Sequence, residues 1–257
     1  MAGSVQTTLG RILPRGAGDL ARQIVLFCGA YWLYRIVRGQ VDDHVAAAFA
    51  NAHDIVAAER AVGLFVEPAI HHWSRSHALI GDLASWIYVN SHFAVTTGVL
   101  AFMYLRRNDR FYFVRNMFMV AMGIALVLYF LVPTAPPRFF PELGFSDPVA
   151  ELTGVEVDDS GWLVNPYAAV PSMHVCFAIM IGLPMARMVR RRWLGVLWRL
   201  YPLLVTAVVL VTANHWWIDA VLGAFTAAVA YAFAAGLFAR ARPDAWAWNR
   251  IPAPSGA

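Results

Sequence analysis

Six stretches of this chain are apolar for long enough, or nearly so, to cross a lipid bilayer, and this restricts the fold more than any other feature. A spanning helix needs about 20 mostly apolar residues, because the hydrocarbon core holds no water to satisfy a broken backbone hydrogen bond. The stretches fall at 20–37, 79–105, 111–132, 171–188, 200–213 and 217–238. Only 14% of the 257 residues are charged and 60% are hydrophobic, whereas a soluble domain carries roughly 25% charged residues. The expected fold is all-α, a six-transmembrane-helix bundle forming a single membrane domain over 1–257. The first apolar run is too long and too Arg-flanked for a cleaved signal, so it is read as a retained span. Between the first two spans lies segment 41–77. There Val45, Phe49, Ile55 and Val56 recur at helical spacing among Asp42, Asp43, Asp54 and Glu59, which predicts short amphipathic helices on the membrane surface.

The placement of charge orients the bundle. All twenty basic residues are Arg. Arg11, Arg15 and Arg22 precede the first span, and Arg106, Arg107 and Arg110 lie between the second and third. Arg187, Arg190, Arg191, Arg192 and Arg199 lie between the fourth and fifth, and Arg240 and Arg242 follow the sixth. These segments alternate with acidic or nearly uncharged ones. Loop 133–170 has Arg138 against Glu142, Asp147, Glu151, Glu156, Asp158 and Asp159. The positive-inside rule then puts both termini in the cytoplasm and this loop outside, and the expected location is the plasma (inner) membrane, as a multi-pass protein. The net charge of +4 gives no reason to expect a nucleic-acid partner. Cys28 and Cys176 sit in separate apolar runs without metal-type spacing.

That topology brings three segments to one membrane level. The third span ends in Thr134-Ala135-Pro136-Pro137-Arg138, the fourth begins Pro171-Ser172-Met173-His174, and the last turn carries Asn214-His215-Trp216-Trp217-Ile218-Asp219. Ser172 occupies an N-cap position, and the unpaired N–H groups behind it favour an anion. His174 follows within the first turn. His215 and Asp219 are four apart and share a helical face. A carboxylate on one ring nitrogen fixes the tautomer and leaves the other nitrogen as base or nucleophile. Asp219 also heads an apolar span, where an ionisable residue is expensive and usually functional.

Pro171-Ser172-Met173-His174 resembles the second signature, Pro-Ser-x-His, of the type-2 phosphatidic acid phosphatase superfamily. His215-x-x-x-Asp219 resembles the core of its third. The resemblance covers a lipid-phosphatase-like core of about 79–238. The stretches from Asn165 to His174 and from His215 to Gly223 look closest to the inositol phosphorylceramide synthase-like branch. The resemblance implies His215 as the nucleophile forming a phosphohistidine, Asp219 as its orienting carboxylate and His174 as the general acid. Ser172 and Arg138 would bind phosphoryl oxygens, with Asn214 and Tyr167 as neutral assistants, and no metal or cofactor is needed. Two signature cations are absent: Leu131 stands where the first signature has Lys, and Val209 where the third has Arg. Arg138 is the expected phosphate cation, with Arg115 a remote alternative toward the cytoplasmic end of its span.

The expected substrate is a lipid phosphate monoester or diphosphate, hydrolysed at the outer face. Two alternatives are a phosphotransferase delivering a phospho-headgroup to an alcohol and a non-catalytic lipid-binding or transport protein. Elsewhere, His92 in the second span is expected to bond within the bundle, the alternative being a place in the substrate pocket. His71, His72 and His77 are read as interfacial, and Trp73, Trp162, Trp216 and Trp217 as an aromatic belt at the outer interface.

Overall fold

An apolar chain has to satisfy its own backbone, and in the computed structural model it does so by helix. The described residues, 13–39, 45–154 and 166–248, contain helices and turns but no strand. The helices are α1 (Gly16–Gly39), α2 (Val45–Ala61), α3 (Glu67–Arg75), α4 (Ala78–Arg106) and α5 (Asn108–Leu131), followed by α6 (Pro148–Thr153), α7 (Met173–Met188), α8 (Arg192–Val211) and α9 (Trp217–Phe233). α9 runs on through a π-turn at Ala234–Phe238 to Ala241, and α10 (Pro243–Trp246) closes the described chain.

The expected boundaries are close to the observed ones except at α8, which starts at Arg192 rather than 200. Arg192 and Arg199 are exposed, and a long guanidinium stem can lie along an apolar helix while its head reaches water. By length and composition three helices are apolar enough to cross a membrane: Asn108–Leu131, Arg192–Val211 and Trp217–Ala241. α7 is apolar but has 16 residues. α1 and α4 are long, but α1 carries Asp19 and Arg22, and α4 is interrupted by Asn90-Ser91-His92.

α7 sits at the centre, packed on α4, α5, α8 and α9. Its Cys176, Ala178, Met180 and Ile181 are fully buried. The outer surface is inverted relative to a water-soluble protein. Leu79, Leu83, Trp86 and Phe93 of α4 are exposed, whereas Ser85, Tyr88, His92 and Thr96 of the same helix turn inward. Large apolar side chains of α8 and α9, such as Leu203 and Phe225, are exposed too.

Segment 41–77 forms helices as expected over its described part, but their inward faces differ. Asp42 and Asp43 lie outside the described residues. α2 buries Ala48, Ala52, Val56 and Glu59, while Val45 is exposed. α3 buries Glu67, His71 and Ser74. Glu59 therefore belongs to the inner face, not to a polar outer one. His71 is not interfacial. The Ser146 N–H donates to its Nε2 at 3.2 Å, which leaves Nδ1 as the donor to the Val211 carbonyl at 3.4 Å. Burial, the largest influence, holds its pKa below the usual histidine value.

Candidate active site

The last turn is built first, because everything else is pinned to it. α8 ends at Val211 with Thr212 as its C-cap, and Ala213 adopts a left-handed conformation with φ 52°. For an alanine this costs roughly 1–2 kcal/mol, and it reverses the chain so that Asn214 and His215 point back toward α7. Arg138 N–H donates to the Ala213 carbonyl at 2.9 Å, and the Trp216 indole N–H to the Ala135 carbonyl at 3.0 Å. Trp216 is fully buried against Phe140 and Phe145. It is a core residue rather than part of an interfacial belt; Trp73 is exposed, and Trp162 lies outside the described residues. Thr134 N–H donates to the Tyr167 carbonyl and Ala169 N–H to the Thr134 carbonyl, at 2.7 and 3.3 Å. Ser172 N–H donates to the Asp219 carbonyl at 3.0 Å. Backbone bonds thus lock the three motif segments together.

A cavity of about 100 Å³ lies where they meet. His174, His215, Arg138 and Asn214 line it, together with Tyr88 and Tyr129. His215 Nδ1 lies 3.3 Å from Asp219 Oδ2, which also accepts the Trp216 N–H at 2.9 Å. A carboxylate only accepts, so Nδ1 carries the proton and Nε2 is left with a lone pair. Asp219 is fully buried and His215 nearly so. The His174 and His215 rings are 5.7 Å apart between centroids. His174 stacks on Tyr88 at 4.7 Å, and His92 lies 4.4 Å from it. The His92 ring packs between His174 and Phe177 inside the bundle, its buried Nδ1 has no hydrogen-bond partner among the described residues, and it does not line the cavity.

Arg138 is held from two sides. It donates through Nη1 to Asn214 Oδ1, and its Nε lies 3.2 Å from Asp147 Oδ2. Asp147 divides its oxygens, since Oδ1 caps α6 by accepting from Val149 N and Ala150 N at 3.1 and 3.0 Å. Asp147-Pro148 is legible in the sequence as a helix start, but its ion pair with Arg138 has no local signal. Arg115 stands at the far end of α5 and does not line this cavity. Ser172 caps α7 as expected, its hydroxyl accepting from Val175 N at 3.5 Å, and is buried behind the cavity wall. The Tyr167 ring packs against Phe49 and Phe139 and does not line the cavity either.

Three carboxyls gather at the start of α9. Glu67 Oε1 accepts the Trp217 N–H at 2.8 Å, Glu59 Oε1 the Ile218 N–H at 3.4 Å, and Asp219 the Trp216 N–H. They satisfy N–H groups that a helix start otherwise leaves unpaired. Burial pushes the Glu59 carboxyl up to about 8, with the neighbouring Glu67 charge the next cause. Burial raises Glu67 as well. Neither residue is recognisable from sequence, because Glu67 and its partner Trp217 are 150 positions apart.

Searches among curated proteins and solved structures find no match to the chain. The model of the PAP2 superfamily matches residues 53–233, a stretch that contains every residue lining the cavity. By that match, over most of its length, the chain belongs to the PAP2 superfamily.

Proposed function

We propose that the chain is a membrane lipid phosphatase that hydrolyses a lipid phosphate monoester or diphosphate through a phosphohistidine intermediate. PAP2 proteins are generally phosphoesterases, and membrane helices fit a lipid substrate. One observation carries the reading: His215, its Nδ1 engaged by buried Asp219, shares a cavity with His174 and Arg138.

In the first step His215 Nε2 attacks phosphorus and the ester P–O bond breaks. His174 gives its proton to the departing oxygen, the alkoxide of a monoester or the lipid phosphate of a diphosphate, and Asp219 stabilises the charge that grows on the His215 ring. Arg138, oriented by Asp147 and Asn214, neutralises the phosphoryl oxygens; little else limits such a transfer beyond positioning and charge. In the second step a water attacks the phosphohistidine, His174 takes its proton, and inorganic phosphate leaves with His215 restored. Ser172 acts in this scheme by setting the start of α7, and Tyr167 by its carbonyl bond to Thr134.

The same residues serve a transferase if an alcohol replaces water, and the likeness of the stretches around His174 and His215 to the inositol phosphorylceramide synthase-like branch favours that second reading. The bundle is proposed to span six times, with α1, α4 and α7 joining the three longer apolar helices. On α4, inward Ser85, Tyr88, His92 and Thr96 and outward Leu79, Leu83, Trp86 and Phe93 support this. The alternating Arg segments support cytoplasmic termini and an outward-facing cavity. Purified protein is to be offered a panel of lipid phosphates. Release of phosphate that His215→Ala abolishes is expected; equal release by both proteins sinks the catalytic reading. Adding inositol to labelled lipid separates hydrolysis, which gives phosphate alone, from transfer, which gives a new phosphate ester.

A further inference from the structure

At the opposite end of α5 and α9 lies a second, larger cavity of about 500 Å³, between α1, α5 and the chain after α9. It shares no lining residue with the first. Arg115 and Tyr129, which line one each, stand roughly 20 Å apart along α5 at the helical rise of 1.5 Å per residue.

Its polar wall is cationic. Arg15, Arg22, Arg115 and Arg242 border it, with Asp19 as the one carboxylate among its lining residues. Asp19 is already engaged: its Oδ2 accepts the Tyr104 and Tyr112 hydroxyls at 3.0 and 2.6 Å, and its Oδ1 the Gln23 amide at 3.2 Å. Arg115 is 8% exposed. Its guanidinium donates to neutral amide oxygens, Asn116 Oδ1 at 2.7 and 3.2 Å and Gln23 Oε1 at 3.1 Å. The Tyr112 and Trp246 rings lie 5.2 and 5.9 Å from its Cζ, and the single lining carboxylate, Asp19, also faces Arg15, so four cations share one anion and the buried charge is incompletely compensated. Beside it Asn116, 5% exposed, has an Nδ2 with no acceptor among the described residues. The wall therefore presents donors and positive charge to the space it encloses, and its complement is an anion with several acceptor oxygens. Phosphate has that form, and Arg grips it bidentately.

The remaining wall is apolar. Leu26, Met119 and Phe238 line it, and Leu26 is also exposed on the outer surface of the bundle. A free phosphate would leave that wall unused, whereas a lipid would cover it. Basic pockets between membrane helices commonly take anionic headgroups. We propose that this cavity binds the phosphate headgroup of an anionic membrane lipid, at a site separate from the catalytic one and on the opposite side of the bundle. Such a lipid bridges α1, α5 and the segment after α9, and so stabilises the fold without entering the reaction.

The test is thermal unfolding of the detergent-purified full chain, titrated with short-chain phosphatidylglycerol, short-chain phosphatidylcholine or inorganic phosphate. Arg22 and Arg242 are exposed, so Arg22→Gln/Arg242→Gln leaves the core intact. Saturable stabilisation by phosphatidylglycerol alone is expected. In that double variant the midpoint should rise about tenfold or more, the worth of a lost charge-assisted hydrogen bond. In Arg138→Ala the midpoint should not move. An equal shift with phosphatidylcholine overturns the anion site, and an equal shift with inorganic phosphate overturns the lipid as its occupant. Loss in Arg138→Ala with retention in the double variant places the lipid in the catalytic cavity and also overturns the proposal.

Discussion

At the scale of single residues, the candidate site rests on a few fixed orientations. Asp219 sets which nitrogen of His215 is free. Asp219→Asn keeps the size but offers an N–H or a weaker acceptor to Nδ1, and the tautomer is no longer fixed. A fall in kcat of roughly two to four orders of magnitude is expected with little change in KM. A change confined to KM would show that Asp219 serves binding. Arg138→Ala should lower the rate about 10²–10³-fold, the usual effect of removing a donor to developing charge, whereas Arg115→Ala should leave turnover nearly intact because it lines the other cavity. The opposite order in a phosphate-release assay would mean that the phosphate cation is assigned to the wrong residue. Ser172, His174, His215 and Asp219 are legible in the sequence because their geometry is local: an N-cap in one case and a contact four residues apart in the other, although His215 reaches Asp219 from the turn before α9 rather than along a helical face. The ion pair of Asp147 with Arg138 and the packing of the His92 ring on His174 are not legible, since each forms only after the helices pack.

At the scale of elements, α9 and the turn that leads into it hold Asp219 and His215 against α7, and the contact is very close. A Cβ built on Gly223 would lie 2.4 Å from the Ser172 carbonyl oxygen. Gly223→Ala must push α9 away from the start of α7, at about 1–3 kcal/mol for such overpacking, and part the two histidines. Loss of most activity together with a lowered Tm is expected. The same change at Gly123 of α5 meets nothing within 4 Å and should be harmless. If both variants behave alike, the packing of α7 on α9 does not set the site. The start of α9 also titrates. The Glu59 carboxyl, raised to about 8, favours the protonated form when folded, so its contribution to stability is complete below about 4.5 and is lost as pH rises through about 8. The Tm of the wild type should fall over that window, by on the order of 5 °C, and Glu59→Gln should flatten the fall. A rise of Tm across the same window would contradict a Glu59 carboxyl that is protonated in the folded chain. Helix existence was readable here from apolar run length and caps. The inner face of α2 was not, because small Ala48 and Ala52 rather than large side chains mark it and a carboxyl joins them.

At the scale of the whole molecule, the apolar exterior follows from composition, since a chain so poor in charge can dissolve in lipid but hardly in water, whereas the central place of α7 is a result of packing. The count of spans is less directly readable. α4 turns Ser85, Tyr88, His92 and Thr96 inward, and these polar residues lower its mean hydropathy although Leu79, Leu83, Trp86 and Phe93 are exposed. Orientation is the property to test at this scale. Glu142 is exposed in the segment after α5. In a background lacking Cys28 and Cys176, Glu142→Cys should react with an impermeant thiol reagent on intact cells, and labelling only after lysis would reverse the proposed topology. The most direct test of the chemistry is to mix the purified protein with a lipid labelled in its phosphate, quench in alkali within the first turnover and map the label. An acid-labile, base-stable phosphate on His215, absent from His215→Ala and accumulating in His174→Ala when the lipid has a good leaving group, is the expected result. Full phosphate release with no labelled histidine at any time would contradict it.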